Sequence, residues 1–321
     1  MTKGTLFNQI HSNQHKTVAI MIGFFLIVAA FGTCLGWLVG TFSLANTNQM
    51  PRVIIKVSLI TLLVVGIYAL ITMSKSINIV MAMNHGSEIH QRSEAPDLWD
   101  AVTNMAIAAG LPRPQIFIIN DPAPNAFSTG NNPQHAAIGA TVGLLKSMDK
   151  YEIEGVVGHE MSHIRDYDTR VETIGIALTS IFAFIGGLLW RIIWEASWFD
   201  WGDDDDDDDD DDSNGILIGI GIVLAIISWI CAGLCYLTQM ALSRNREYLA
   251  DAGSVDLTRN PNEIIRALES LEKRPSMKAA NPSSNALYIV NPHKPKHHWS
   301  IANLFDTHPP LDRRIARLKK M

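Results

Sequence analysis

An uncharged apolar segment from Thr17 to Phe42 constrains the fold of this chain more than any other feature. A helix needs about 20 apolar residues to cross a bilayer, and this segment is long enough to cross with some tilt. A cleaved signal peptide is the alternative. However, the segment is longer than an apolar signal core, and a second apolar segment, Val53 to Met73, follows almost at once. The chain is therefore predicted to be an integral membrane protein.

Two further apolar segments, Thr173 to Trp190 and Gly215 to Met240, bring the predicted number of transmembrane helices to four. The third segment is the shortest, and a buried core helix is the alternative for it. Lys56 interrupts the second segment near its end, where its side chain can reach the bilayer surface. The composition agrees, since 47% of the residues are hydrophobic and only 18% are charged.

Lysine and arginine residues lie mostly on one set of flanks of these segments. Only Arg52 and Arg191 fall in the two loops that join the paired helices, and nearly all the others lie near the N-terminus or in residues 74–171 and 241–321. Loops rich in Lys and Arg stay in the cytoplasm. Both termini and both polar regions are therefore predicted to be cytoplasmic.

Ten consecutive aspartates, Asp203 to Asp212, lie between the third and fourth apolar segments and account for the net charge of −6. A run of one charge repels itself, so a solvated, disordered loop outside the membrane is predicted. Divalent-cation binding is the alternative, although the run lacks the interspersed Gly or Asn of an EF-hand. Basic residues are not interleaved with aromatic ones, so no nucleic-acid partner is predicted.

The first polar region contains an H-E-x-x-H pattern, His159 to His163. Positions i and i+4 of a helix share one face, so His159 and His163 can bind one metal ion. Glu160 can then reach a water molecule on that metal. This spacing is typical of zinc peptidases in which the Glu is the general base. Two core histidines around a paired glutamate are the alternative.

The helix that carries this motif is signalled by its own residues. Asp149 is predicted to be the N-cap, and Glu152 three residues later completes a capping box. Gly155 and Gly158 each lower the helix propensity by about 1 kcal/mol relative to Ala, which a close neighbouring backbone at both positions would explain. Apolar residues at helical spacing predict the buried face: Ile153, Val156, Val157, Met161 and Ile164.

A catalytic zinc site takes three protein ligands, and two histidines supply only two of them. No G-x-x-H follows the motif, so the third ligand is expected to be a carboxylate on another helix. Glu247 is the strongest candidate, because Asp251 lies one helical turn on and can accept the other ring N–H of a ligand histidine. A pair of surface acids that weakly repel each other is the alternative.

The two polar regions are predicted to form one catalytic domain in two halves, 74–171 and 241–321, because neither half holds a complete ligand set. Residues 1–73 and 172–240 are the two transmembrane pairs, the second with an outer loop at 191–214. The predicted fold class is an integral membrane protein, mainly α, with a cytoplasmic zincin-like α+β metalloprotease domain that contains a small sheet. Its predicted helices span 96–110, 244–256, 262–272 and 311–320, and its strands span 115–120 and 136–145.

Four motifs together resemble a known family. They are H-E-M-S-H at 159–163, E-Y-L-A-D at Glu247 to Asp251, P-N-A-F-S-T-G at Pro124 to Gly130 and T-H-P-P at Thr307 to Pro310. Their order and separation resemble the gluzincin-type membrane peptidases of the HtpX and Ste24 (CAAX-prenyl-protease) group, over about residues 75–321. The predicted number of four transmembrane helices is closer to that of HtpX than to that of the Ste24 enzymes, which have many.

The chain departs from that family's pattern in two places. The aspartate run is not part of the pattern, and Ser128 stands where Ala is more usual. Neither departure is expected to touch the metal site.

The resemblance implies a zinc site with one ion per chain. His159, His163 and Glu247 would bind the ion, and Glu160 would activate its water. Asp251 would orient a ligand histidine. The spacing of the motifs suggests these residues, and the resemblance implies the role of each.

The resemblance also implies residues that act on the substrate. His308 would stabilise the oxyanion, and Asn125, Ala126 and Phe127 would hold a peptide along an edge strand by strand addition. An ordinary turn residue is the alternative for Asn125, and a helix-entry residue is the alternative for His308.

The implied function is a multi-pass zinc metalloendopeptidase of a bacterial-type inner (plasma) membrane. Its expected substrates are misfolded or damaged membrane proteins, in quality control and the stress response. A CAAX-type prenyl-protein processing protease is one alternative. A non-catalytic membrane scaffold or cation binder that uses the aspartate run and the tract with His293, His297 and His298 is another. The sequence leaves the oligomeric state open.

Overall fold

The computed structural model describes residues 3–43, 47–199, 211–273, 277, 287–290 and 308–321. Several residues singled out in the sequence lie outside these ranges, namely Asp203 to Asp210, Thr307 and the histidines at 293, 297 and 298. The chain divides into two compact units. One unit contains residues 1–18, 72–176 and 237–321, and the other contains residues 19–71 and 177–236.

The second unit is built from long apolar helices. Helix α1 spans Lys3–Ser43 and helix α2 spans Met50–Ser74. Within the described residues, the stretches Ile22–Thr41 and Met50–Ser74 are long and apolar enough to cross a membrane, with mean hydropathies of 2.2 and 2.5. The first two predicted spans are therefore confirmed in length and composition.

The other two predicted spans lie in helices α7 (Asp168–Phe199) and α8 (Asp211–Thr258). In α8 the apolar stretch Ile218–Leu234 is shorter than a full membrane crossing. Close packing within this unit is visible at Gly36 of α1, where an added Cβ would lie 2.8 Å from the Cα of Ile54. The glycine therefore allows α1 and α2 to approach closely.

The first unit contains a small mixed sheet of four described strands in the order β1-β2-β4-β3. These are β1 (Gly86–Glu88), β2 (Gln115–Ile119), β3 (Ala126–Asn132) and β4 (His135–Thr141). Strand β4 pairs with β2 in parallel and with β3 antiparallel, and β1 pairs antiparallel with β2. The predicted strand at 115–120 is confirmed, and β3 lies at one edge of the sheet.

The strand predicted at 136–145 ends earlier than expected. Strand β4 stops at Thr141, whose hydroxyl accepts a hydrogen bond from the N–H of Leu144 and so caps helix α5 (Val142–Ser147). An added Cβ at Gly143 would lie 2.2 Å from the carbonyl oxygen of Pro122. The prediction of a strand to Leu145 is wrong because this cap starts a helix within the apolar run.

Helices pack around the sheet and form the core of this unit. They are α3 (Ser76–Met83), α4 (Pro96–Ala109), α6 (Lys150–Arg165), α9 (Pro261–Glu272) and α10 (Leu311–Leu318). The predicted helices are confirmed to within two residues, except that the one at 244–256 is the end of the longer α8. The mainly helical fold with a small sheet is therefore confirmed.

Helix α6 lies at the centre of this core, against α4, α9 and β3. Its N-terminus is the predicted capping box, in which the Asp149 carboxylate accepts hydrogen bonds from the N–H groups of Tyr151 and Glu152. An added Cβ at Gly155 would lie 2.6 Å from the backbone nitrogen of Ile264. An added Cβ at Gly158 would lie 3.0 Å from the side-chain Oγ of Ser254 on α8 and 3.4 Å from its Cα. The predicted close backbone is confirmed at Gly155, whereas the atom nearest to Gly158 belongs to a side chain.

Candidate active site

The two histidines of the H-E-x-x-H motif meet a glutamate from a distant helix. His159 and His163 lie on α6, and their Nε2 atoms are 3.2 Å apart. Glu247 on α8 places Oε2 3.7 Å from Nε2 of His159 and Oε1 3.5 Å from Nε2 of His163. One donor atom from each residue lies within 4.8 Å of the others, and all three residues are buried. The structure thus brings the three predicted ligands together.

Each of the two histidines has a carboxylate on its other ring nitrogen. Nδ1 of His159 lies 3.1 Å from Oδ1 of Asp251, as the sequence predicted for a ligand histidine. Nδ1 of His163 lies 3.0 Å from Oδ2 of Asp168. Both Nδ1 protons are therefore held by carboxylates, and each Nε2 is left with its lone pair for a metal ion.

Asp168 was missed in the sequence because it lies five residues beyond His163, outside one helical turn. The chain reverses at Tyr167, whose φ of 61° ends α6 and starts α7. This left-handed residue returns Asp168 to the histidine. A non-glycine residue in that conformation cannot be read from the sequence.

These residues fit a zinc ion. Two histidines and a glutamate are a common ligand set of catalytic zinc. Two lone pairs 3.2 Å apart repel each other unless a cation lies between them. Although burial opposes it, the neighbouring carboxylates of Asp168 and Glu247 raise the pKa of His163 well above its ordinary value. The site therefore favours positive charge at the place where a metal ion would bind.

Glu160 is buried beside the two histidines, with a side-chain environment unlike that of an ordinary surface acid. Burial raises the pKa of Glu160, and the neighbouring histidines and a hydrogen bond from Ser128 only partly oppose this. A raised pKa makes a carboxylate a better proton acceptor near neutral pH. Among the described residues, Oε1 of Glu160 has no hydrogen-bond partner. The residue can therefore take up a proton at that atom.

Ser128 contacts this glutamate, although the sequence predicted that it would lie clear of the metal site. Its Oγ donates a hydrogen bond of 2.6 Å to Oε2 of Glu160. Strand β3 packs against α6, which brings the two side chains together. A sequence position on an edge strand gives no sign of such a contact with a helix residue 32 positions away.

Arg314 is a second residue that the sequence analysis missed. It is fully buried on α10, with Nη1 3.0 Å from Oε2 of Glu247 and Nη2 2.6 Å from Oδ1 of Asp251. Burial would raise the pKa of Glu247, but His308 and Arg314 together hold it well below its usual range. The signal was present in the sequence, because Arg314 lies on the apolar face of α10 with Ile315 and Leu318.

His308 lies at the edge of the same group of charges. Its Nε2 is 3.7 Å from Oε1 of Glu247. Burial lowers the pKa of His308, and the Glu247 carboxylate opposes this. An imidazole at this position can donate a ring N–H beside the metal ligands.

The three residues predicted to hold substrate are buried next to residues 288–290. The side chain of Asn125 donates a 2.8 Å hydrogen bond to the carbonyl of Val290, and the carbonyl of Ala126 accepts one of 2.9 Å from Ile289. Phe127 packs edge-on against Tyr288 with ring centroids 4.9 Å apart. This end of the β3 edge is therefore paired within the chain.

Comparison with known proteins finds peptidases that are similar to this chain. Residues 92–321 match peptidase family M48. A "Protease HtpX homolog" of Limosilactobacillus reuteri is 44% identical over 319 residues, which cover 98% of this chain and 100% of the relative. The "Protease HtpX homolog" of Levilactobacillus brevis is 46% identical over 317 residues, with the same coverage. The crystal structure of S. mikatae Ste24p aligns with 97% of this chain and 67% of that chain, at 19% identity and a TM-score of 0.45.

Proposed function

The chain belongs to peptidase family M48, a family of zinc-dependent metalloproteases, and we propose that His159, His163 and Glu247 hold its zinc ion. Its relatives along the full length are HtpX proteases, and its apolar helices are those of a membrane protein. A protease acts on polypeptides. The individual roles of the site residues, the membrane topology and the biological role are our inferences from this premise.

The observation that carries the assignment is the convergence of three ligand atoms within 4.8 Å from helices that are far apart in sequence. Asp251 and Asp168 support it, because each holds Nδ1 of one ligand histidine. Asp251 was the outer partner expected from the sequence. Such carboxylates fix the tautomer and raise the basicity of the ligand.

Zinc, when bound, polarises the scissile carbonyl and lowers the pKa of a water molecule to about 7. Glu160 then accepts the proton of the attacking water at Oε1 and delivers it to the leaving amine. His308 donates a hydrogen bond to the oxyanion, for which its position next to Glu247 is suited. The pKa of Glu160, raised by burial, suits both steps.

Substrate binding is assigned to the edge of β3. Asn125, Ala126 and Phe127 begin this strand, and backbone groups farther along it can pair with an extended peptide. Residues 288–290 pair with the beginning of the strand, so these three residues form one end of the substrate groove. The peptide would therefore run past Ser128 towards Glu160.

The membrane arrangement follows the distribution of apolar and basic residues. We assign residues 1–73 and 172–240 to two pairs of transmembrane helices, with residues 74–171 and 241–321 as the two halves of the catalytic domain. The scarcity of Lys and Arg in the loops at 43–52 and 191–214 favours a cytoplasmic active site and an outer aspartate run. The protein is then a multi-pass protease of a bacterial-type inner membrane.

We infer that the substrates are damaged or misfolded membrane proteins, in quality control under stress. The full-length similarity to HtpX proteases favours this role over prenyl-protein processing. A non-catalytic scaffold is not favoured, because a scaffold requires neither a buried general base nor a complete ligand set.

Glu160→Gln tests the mechanism directly. The amide keeps the size of the side chain but cannot accept the water's proton, so we expect full zinc content and a loss of casein cleavage by about 10²–10⁴-fold. Zinc is measured by atomic spectroscopy on the purified, detergent-solubilised protein, and cleavage by release of labelled peptides. Wild-type cleavage by the zinc-loaded variant would refute the assignment.

A further inference from the structure

The hydroxyl of Ser128 makes a hydrogen bond that the proposed reaction does not account for. Oγ of Ser128 lies 2.6 Å from Oε2 of Glu160, and both residues are buried, at 2% and 1% exposure. Successive side chains of a strand alternate between its two faces. Ser128 thus shares the face of Ala126, which packs in the core around α6, and Phe127 lies on the other face.

The carboxylate of Glu160 depends on this bond for its orientation. The terminal torsion of a glutamate has a broad, shallow preference, so the plane of its carboxylate is set by its contacts. Among the described residues, Ser128 donates the one side-chain hydrogen bond recorded for Glu160, and Oε1 has no partner. The 2.6 Å length lies in the range of a hydroxyl that donates to an ionised carboxylate.

We propose that Ser128 is a positioning residue for the general base. By holding Oε2 from the neighbouring strand, its hydroxyl leaves Oε1 as the oxygen that exchanges a proton with the attacking water. This inference rests on the proposed role of Glu160. Ser128, a strand residue on the substrate side of the site, would then influence the chemical step through its contact with Glu160 on α6.

Ser128→Ala tests the proposal by separating kcat from KM. The variant removes only the hydroxyl, so the glutamate remains present but loses its fixed orientation. We expect kcat for casein-derived peptides to fall by about 3- to 30-fold, well short of the roughly 10²–10⁴-fold supplied by a complete general base. KM and zinc content should stay close to those of the wild type, and any fall in the thermal unfolding midpoint should be similar to that caused by removing another buried serine hydrogen bond.

Ser254→Ala is the matched control. Ser254 is also a buried serine, and its Oγ also donates a 2.6 Å hydrogen bond to α6, but to the carbonyl of Gly155. Removing it takes away a similar bond without touching Glu160, so kcat should stay at the wild-type value. Ser128→Thr is the rescue, because it restores a hydroxyl in a residue that strands accommodate well.

The proposal stands if Ser128→Ala lowers kcat alone, Ser128→Thr restores it and Ser254→Ala leaves it unchanged. It is overturned if Ser128→Ala keeps the wild-type kcat, if it loses zinc, or if Ser254→Ala lowers kcat to the same degree. A folded, zinc-loaded Ser128→Thr enzyme as slow as Ser128→Ala would overturn it as well. If Glu160→Gln is inactive and Ser128→Ala is fully active, the role of Ser128 fails and that of Glu160 survives.

Discussion

Arg314 donates two hydrogen bonds to Asp251, from Nη2 to Oδ1 at 2.6 Å and from Nε to Oδ2 at 2.9 Å. The pair joins α10 to α8 in the interior of the protein. Asp251 also meets Nδ1 of His159 at 3.1 Å. A residue close to the C-terminus is therefore linked through one carboxylate to a ligand histidine 155 positions earlier.

Arg314→Lys should destabilise the protein although it keeps the charge. A lysine ammonium cannot reproduce the planar two-point contact with Asp251, and each charge-assisted hydrogen bond lost costs about 1.5–3 kcal/mol. We expect a lower unfolding midpoint in detergent and weaker zinc retention. Arg313→Lys, at an exposed position on the same helix, is the control and should match the wild type. Equal midpoints for the two variants would show that the contact with Asp251 contributes little.

Asp168→Ala should weaken zinc binding without removing a ligand. The carboxylate of Asp168 lies 3.0 Å from Nδ1 of His163, and losing such a partner typically costs about 10- to 100-fold in metal affinity. Competition with a chromogenic chelator measures the affinity. Asp168→Asn keeps an oxygen acceptor and should lose less. Asp256→Asn, which alters a more exposed acid of α8, serves as the control. Wild-type affinity in Asp168→Ala would argue against the role of this residue.

Glu172 should make the stability of the protein depend on pH. Burial raises its pKa to about 7, even though Arg246 lies 3.2 Å away and opposes the shift. The ordinary pKa of a glutamate is about 4.5. Between about pH 4.5 and pH 7, Glu172 therefore holds a proton in the folded protein that it has released in the unfolded chain. Raising the pH through this range therefore lowers the free energy of unfolding, by at most about 3 kcal/mol for a shift of this size.

Glu172→Gln should remove that dependence. The unfolding midpoints of the variant and the wild type are measured in detergent at pH 5 and pH 8. The midpoint of the variant minus that of the wild type should be larger at pH 8 than at pH 5. Glu195→Gln, at an exposed position on the same helix, should follow the wild type at both pH values. A gap between Glu172→Gln and the wild type that stays constant from pH 5 to pH 8 would contradict a raised pKa at this residue.

Local features of the fold could be predicted from the sequence, and contacts between distant segments could not. The helix from Lys150 to Arg165 was predictable because its cap, apolar face and metal motif all lie within a few turns. Glu247 and Asp251 were identified because their spacing on one helix is itself a signal. The end of β4 was not predicted correctly, because an apolar run suits a strand and a capped helix equally well.

The residues that were missed share one physical reason. Ser128, Asp168 and Arg314 act through contacts made by a strand, a sharp reversal of the chain and a C-terminal helix. None of the three belongs to a metal-ligand pattern, so their spacing does not point to the metal site. Arg314 alone gave a sign, as a charge on the apolar face of an amphipathic helix.

Glu247→Ala, assayed for zinc content and casein cleavage, tests the central claim most directly. Wild type and variant are purified with protease inhibitors and given matched zinc, and Glu160→Gln serves as the inactive control that should keep its metal. We expect the Glu247 variant to lose both zinc and activity, because His159 and His163 alone do not complete the site. A variant that keeps both would show that a residue other than Glu247 is the third ligand.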